Sequence, residues 1–321
     1  MRRGKVDREI GVGRQQCLDS EEDYEAPSCK NTGAVIIAYF PAANFLSRVK
    51  DISTQALAVL IVDNTPGVSQ LANLCNDLPP NVTVASNGCN RGIAAALNQG
   101  IAWAQGAGCK WLLTLDQDSS VYKNLIDVHA KVFRQLAGRN LVAVIGSNYE
   151  CPDRTKRLIP ENRFDGQDWI QMSVAITSGS LLSLAAVQKL GPFCESLFID
   201  HVDTEYCLRA RGNGYTIVIT REPVMSHAIG KLEATNLMGR PVSFYRHSPL
   251  RWYYRTRNLV MVSRSYFISS PRYLLASYVY FVRFIATMLL LDENRWSILR
   301  SIVAGVIDGI QMPTVKRGVV W

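Results

Sequence analysis

Leu112-Leu-Thr-Leu-Asp116-Gln-Asp118 is the stretch around which the rest of the chain organises. Four largely apolar residues read as a buried strand, and two carboxylates one residue apart follow at its end. On extended backbone, residues i and i+2 point to the same side, so both acids can face one ligand. Two such acids repel unless a cation lies between them, and hard oxygen ligands suit Mg²⁺ or Mn²⁺ bridging a diphosphate. Asp-x-Asp also occurs in surface turns, so the surrounding chain has to decide.

Working outward, Ala34–Tyr39 reads as a first buried strand and Leu57–Val62 as a second, with a helix near 44–55 between them. Val82–Ala85 is a short third strand, Ile93–Ala104 an Ala-rich helix and Trp111–Leu115 the fourth strand. This alternation predicts an α/β fold with a mainly parallel, doubly wound sheet. Ligands then bind beyond the carboxyl ends of the strands, where Tyr39, Asp63, Asn90 and Asp116 lie. No Gly-x-Gly-x-x-Gly follows the first strand and no Walker-type Lys is present, which excludes an ordinary dinucleotide or ATP site.

The second half continues with Val142–Ile145, then Ser173–Leu184 as an apolar strand broken at Ser178-Gly179-Ser180. From Val202 the chain turns helical, with Val202, Tyr206 and Leu208 suited to pack inward. Asp200 and Asp203 fall at or before its first turn, where the helix dipole favours an ionised carboxylate and hence a general base. Plain N-capping by Asp203 is the alternative.

Hydrophobic content of 48% supports a substantial core. Cysteines 17, 29, 75, 89, 109, 151, 194 and 207 show no C-x-x-C pair and no His at metal spacing, which suits reduced thiols in a cytosolic protein. Residues 1–30 are polar, mixed in charge and without an apolar h-region, and read as a loose extension. The net charge of +8 is concentrated. Between Glu233 and Asp292 there is no carboxylate, yet Arg240, Arg246, Arg251, Arg255, Arg257, Arg264, Arg272 and Arg283 lie there. Such a block calls for an anionic partner: nucleotide phosphates, acidic lipid head groups or nucleic acid. No nucleic-acid-binding motif accompanies it, so no nucleic-acid partner is expected. Tyr273–Leu291 is long and apolar enough to span a bilayer, but the central Arg283 favours a helix lying in the interface beside anionic lipid. Packing on the catalytic domain or on a second subunit, as in a homo-oligomer, is the alternative.

Seven pieces in order resemble the family 2 glycosyltransferases, and within them the bacterial rhamnosyltransferases of cell-surface polysaccharide (O-antigen) assembly. They are Ala-Tyr-Phe-Pro (38–41), Val-Asp-Asn (62–64), Asn90 to Gly100, Leu-Asp-Gln-Asp-Ser (115–119), Ser-Gly-Ser (178–180), Phe198 to Arg211, and His-Ser-Pro-Leu-Arg-Trp-Tyr-Tyr-Arg-Thr-Arg-Asn (247–258). The resemblance implies a GT-A fold over 31–260 with a C-terminal helical, membrane-proximal region over 261–321. It also implies a divalent metal (Mg²⁺ or Mn²⁺), a nucleotide-sugar donor and inversion at the anomeric carbon.

By the same resemblance Tyr39 and Asp63 hold base and ribose, while Asn90, Gly92 and Asn98 form the donor-side loop and helix. Asp116 and Asp118 serve metal and diphosphate, with Asp118 the direct ligand. Asp203 is the general base, with Asp200 a rival and Glu205 a weaker one. Ser178, Gly179, His227 and Arg257 are placed among the substrate-binding residues. Processive relatives carry Gln-x-x-Arg-Trp, which Asp292-Glu-Asn-Arg295-Trp296 and Arg251-Trp252 both lack, so one sugar is expected per encounter. The expected reaction moves L-rhamnose from dTDP-L-rhamnose to a lipid-linked oligosaccharide on the cytoplasmic face of the bacterial membrane. Another hexose or galactofuranose is the runner-up.

Overall fold

A computed structural model describes residues 24–68, 71, 77–151, 156–227, 232–237 and 240–314. The first half is β1 (Thr32–Ala38), α1 (Phe45–Ser53), β2 (Ala58–Asp63), β3 (Val82–Ser86), α2 (Gly92–Gly106) and β4 (Trp111–Asp116). These four strands run parallel in the order β3-β2-β1-β4. β1 is buried along its whole length because helices cover both faces, which is why it reads as an unbroken apolar run. Val35 and Ile37 face one apolar layer with α2, and Ala34, Ile36 and Ala38 face the other with α1. Gly100 lets α2 lie directly on β1, since a Cβ there would meet Val35 at 2.7 Å.

The second half runs β5 (Ser120–Val121), α3 (Leu125–Gln135), β6 (Val142–Cys151), β7 (Lys156–Arg157), β8 (Trp169–Gln171), β9 (Ser180–Ser183), α4 (Leu184–Leu190), α5 (Val202–Gly212) and β10 (Thr216–Ser226). It extends the sheet as β4-β9-β6-β10-β5. β9 lies antiparallel between β4 and β6, and β10 returns parallel to β6. The sheet is mainly parallel with one reversed strand inside it.

Two sequence expectations are corrected here. The strand over Ser173–Leu184 shrinks to the four residues of β9, because Ser183 Oγ caps α4 through Ala186 N at 3.3 Å and the Ala-rich segment coils. The strand at Val142–Ile145 runs on to Cys151, because buried Asn148 satisfies its side chain with Ile159 and the Arg221 carbonyl.

A two-stranded antiparallel hairpin, β11 (Leu232–Leu237) with β12 (Arg240–Tyr245), precedes three helices: α6 (Pro249–Tyr266), α7 (Pro271–Leu291) and α8 (Arg295–Gln311). Ser248 caps α6 and Pro249 occupies its first turn. α6 runs unbroken across residue 260, and its Met261, Val262 and Tyr266 join the core containing α2 and α5. α8 lies against α6 at Gly305 and Gly309, where a Cβ would meet the Tyr253 and Arg257 carbonyls at 2.6 and 2.7 Å. α7 packs through Met288 onto Trp252, Ile298 and Ile302. Its stripe Leu275, Val279, Val282, Ala286 and Leu290 is exposed.

Of the polar N-terminal extension, residues 1–23 lie outside the described residues, as do Cys17 and Cys75. Tyr24 onward docks on the domain, with Trp111 Nε1 donating to the Glu25 carbonyl at 2.9 Å. The described cysteines are free thiols.

Candidate active site

The carboxyl ends of β1, β2 and β4 open onto a cleft of two adjoining lobes, about 560 and 540 Å³ in volume. Asp116, His227, Arg251 and Arg255 line both lobes and so stand at their junction. Tyr39, Asn64, Asn90, Gly92 and Asp118 line the first lobe. Thr177, Ser178, Asp200, Asp203 and Thr204 line the second, which is walled by Tyr273, Ala276, Ser277, Tyr280 and Phe281 of α7.

One ligand atom each from Asp116, Asp118 and His227 lie within 4.8 Å of one another. Two carboxylate oxygens and an imidazole nitrogen at this spacing fit one divalent cation such as Mn²⁺ or Mg²⁺. Asp118 Oδ1 is 3.7 Å from His227 Nδ1. The Ser119 hydroxyl sits 2.8 Å from the same nitrogen and 2.6 Å from Ser178 Oγ, which in turn accepts from Asp116 N at 3.1 Å. Those serines hold the metal loop to the Ser-Gly-Ser turn. Burial pushes Asp116 up to about 6; His227 and Arg251 oppose this, while Asp118 and Asp203 add to it. A cation there would relieve this crowding of negative charge.

The two rival bases differ. Asp200 is gripped by Arg251 through two 3.2 Å contacts, Nε to Oδ2 and Nη2 to Oδ1. Burial alone would raise its pKa, but Arg251 and Arg255 outweigh burial and hold it below the ordinary range. Asp203 instead accepts from Thr177 N at 3.1 Å and Thr204 N at 2.7 Å. Burial pushes its pKa up, those hydrogen bonds opposing and Asp200 adding to the rise. Glu205 is fully buried, bonded to Arg209 and to Tyr266 Oη at 2.7 Å, which leaves it away from the cleft.

The loop before α5 is unusual. Phe198, Asp200 and His201 take φ of 61°, 61° and 62°, a region costly for such side chains. Asn258, fully buried on α6, holds it there: Nδ2 lies 2.7, 2.8 and 2.8 Å from the Leu197, Ile199 and Asp200 carbonyls. The same loop touches α2, since the Phe198 carbonyl accepts from Ile93 N and its ring fills the space where Gly92 would carry a Cβ.

The remaining expected residues divide. Tyr39 lines the first lobe and Asn90 caps Gly92 N at 3.0 Å. Asp63 is fully buried and accepts from Thr65 N at 2.9 Å, while its neighbour Asn64 faces the lobe. Asn98 bonds both backbone groups of Phe193 and the Glu195 carboxylate and does not reach the cleft. Gly179, at φ 75°, packs against Met225 and Ser147. Arg257 also turns away: it binds the Ser196 and Leu197 carbonyls and lies 4.8 Å from the Tyr254 ring centroid.

Sequence reasoning missed Gln117, whose amide bonds both the N–H and the carbonyl of Tyr39 at 2.7 and 3.0 Å. It named Arg251 and Arg255 only as part of a basic block and gave Asn258 no role of its own. Their i, i+4, i+7 spacing places them on one face of α6, a face from which Arg257 is excluded.

Residues 34–191 match the model of glycosyl transferase family 2. The dTDP-rhamnosyl transferase RfbF of Shigella flexneri is 29% identical over 296 residues, which cover 88% of this chain and 96% of that protein. Residues 34–191 are thus a family 2 glycosyltransferase domain, and the chain is a glycosyltransferase similar to a rhamnosyltransferase. Among solved structures, GalNAc-T7 with UDP, GalNAc and Mn²⁺ superposes with a TM-score of 0.55 at 14% identity, covering 80% of this chain and 51% of that one. This chain thus spans about half the length of that structure. Staphylococcus aureus TarS with UDP-GlcNAc gives 0.50 at 13% identity, covering 88% and 92%. Both likenesses concern the fold, a GT-A-like α/β domain followed here by helices.

Proposed function

We propose that this enzyme transfers L-rhamnose from dTDP-L-rhamnose, with inversion, to a hydroxyl of a lipid-linked oligosaccharide. The observation that carries the reading is the facing of Asp203 and the Asp116–Asp118–His227 cluster across one two-lobed cleft. The choice of sugar follows the name of the Shigella relative. In this reading the first lobe takes the nucleotide, with Tyr39 and Asn64 against the nucleoside. Asp118, Asp116 and His227 would hold Mg²⁺ or Mn²⁺, which would supply positive charge to offset that of the departing diphosphate.

Asp203 accepts the proton of the acceptor hydroxyl. The freed oxygen pair attacks the anomeric carbon from the second lobe as the bond to the diphosphate breaks on the opposite side. One displacement inverts the centre without a covalent sugar–enzyme intermediate. Asp203 suits this role better than Asp200: its raised pKa makes it the stronger proton acceptor, while Arg251 occupies both oxygens of Asp200.

The acceptor lobe is walled by α7, whose outer stripe is apolar and whose Arg272 and Arg283 line an open groove with Leu275, Val279 and Phe284. In the proposed reading this face rests on the anionic inner leaflet, where a lipid-linked acceptor is met. Purified protein incubated with dTDP-rhamnose, UDP-galactofuranose or UDP-GlcNAc, with Mn²⁺ or EDTA, tests the reading. Mn²⁺-dependent consumption of dTDP-rhamnose is expected, and consumption of another donor in its place refutes the sugar assignment.

A further inference from the structure

The junction of the two lobes holds a cation with unused hydrogen-bonding capacity. Arg255 lines both lobes, and its Nη1 is buried with no hydrogen-bond partner among the described residues. Its guanidinium carbon sits 5.3 Å from the centroid of the Phe284 ring, which is itself braced 4.8 Å from Trp252. The side chain thus packs on an aromatic shelf, with no acceptor for Nη1 among the described residues. A buried charged N–H without an acceptor is costly, and sites that retain one commonly have a ligand supply it.

The neighbouring charges do not satisfy it. Asp200, the carboxylate on which both Arg251 and Arg255 act, gives both its oxygens to Arg251. His247 and His201 are pushed down to about 4, chiefly by burial, so both are neutral at physiological pH. Arg255 is therefore a positive charge that lines both lobes, the first shared with Asp118 and the second with Asp203.

We propose that Arg255 binds a phosphoryl oxygen at the junction of the lobes, and so is a substrate-binding residue of the transfer reaction. The inference rests on reading the cleft as a nucleotide-sugar site. Phosphoryl chemistry could reach this point from two sources. One is the diphosphate of the donor, approaching from the first lobe. The other is the phosphate joining an acceptor's sugar to its lipid, approaching from the second. An Arg suits either, because its planar fork contacts two phosphoryl oxygens at once.

The test compares wild type, Arg255→Gln and Arg255→Lys by isothermal titration with Mn²⁺ present, using dTDP, dTMP, inorganic pyrophosphate and decyl diphosphate. Melting curves confirm that the variants fold. Loss of a hydrogen bond to a charged group predicts roughly 10- to 100-fold weaker binding in Arg255→Gln, with Lys restoring only part because it lacks the fork. Weakening of dTDP more than dTMP, with decyl diphosphate unchanged, assigns the residue to the donor. Weakening of decyl diphosphate alone assigns it to the acceptor. If the wild type binds these probes and Arg255→Gln binds all of them equally well, the proposal is overturned while the reading of the site stands. If the wild type shows no Mn²⁺-dependent dTDP binding, the site reading fails, and pyrophosphate still decides whether Arg255 holds a phosphoryl group.

Discussion

Replacing Asn258 with Leu removes a clamp without opening a cavity, because the two side chains have similar volume. Nδ2 brings two protons to three backbone carbonyls, and Oδ1 accepts from Arg257 Nε and Nη2 at 2.9 and 2.8 Å. Two neutral hydrogen bonds at about 1 kcal/mol each, and a charge-assisted one at about 1.5–3, sum to about 4 kcal/mol of gross loss. Relaxation of Phe198, Asp200 and His201 to negative φ returns part of this, at roughly 1 kcal/mol or more per residue. That relaxation in turn sacrifices the Arg251 grip on Asp200 and the Ile93 N–H bond to Phe198. A net loss of about 2–3 kcal/mol is expected, a large share of the ~5–15 kcal/mol that holds a typical domain together. The catalytic effect should be larger than the stability loss suggests, because the loop leads directly into Asp203. Misplacing a base by about 1 Å costs on the order of 10²-fold in kcat. Urea denaturation with initial-rate kinetics on the folded variant measures both. A stability loss below about 1 kcal/mol with kcat intact would refute the clamp.

Asp203→Asn should lower kcat by at least about 10² with dTDP affinity nearly unchanged. In the wild type, burial holds the Asp203 pKa above its unfolded value. Lowering the pH therefore protonates the base sooner than an ordinary Asp near 3.9 would be, and the acid limb of the kcat profile should lie above that value; a limb at or below it, or an active Asp203→Asn beside a dead Asp200→Asn, moves the role to Asp200. Asp118→Ala should abolish Mn²⁺-dependent dTDP binding while leaving the melting temperature close to wild type, and turnover that persists in EDTA would sink the metal assignment. Val279, half exposed on the outer stripe of α7, becomes an acid in Val279→Glu; co-sedimentation with anionic vesicles should fall several-fold, at about 1 kcal/mol per charge, with dTDP binding untouched. Wild-type protein that ignores such vesicles would remove the lipid surface from the reading.

The parallel half of the sheet was legible because strands buried on both faces must be apolar throughout, as β1, β2 and β4 are. The acid pair after β4 was legible because it lies at the strand end that opens onto the cleft, where the fold gathers it with His227. What stayed hidden depends on partners remote in sequence. Asn148 looks like the end of a strand until Ile159 and Arg221 satisfy it. Nothing local in Phe-Ile-Asp-His marks positive φ at three positions; that conformation is imposed by Asn258, 58 residues beyond Asp200. The resemblance points to Arg257, and a linear motif does not show which arginine of α6 turns to the cleft. The helical period separates the arginine that faces the cleft from the one that fastens the loop behind it.

The helix α7 presents Tyr273, Ala276, Ser277, Tyr280 and Phe281 to the second lobe and Leu275, Val279, Val282 and Leu290 outward. The two surfaces interleave along one rigid rod, and each residue advances 100° around it. Adding or deleting one residue within α7 would rotate every side chain beyond that point by the same angle. Outward aliphatic residues would then swing into the lobe and its aromatic wall would swing out. A change in the shape of this wall that spares the outer face is therefore confined to exchanges of residue in place. An insertion that enlarged the lobe would disturb the outer face in the same step.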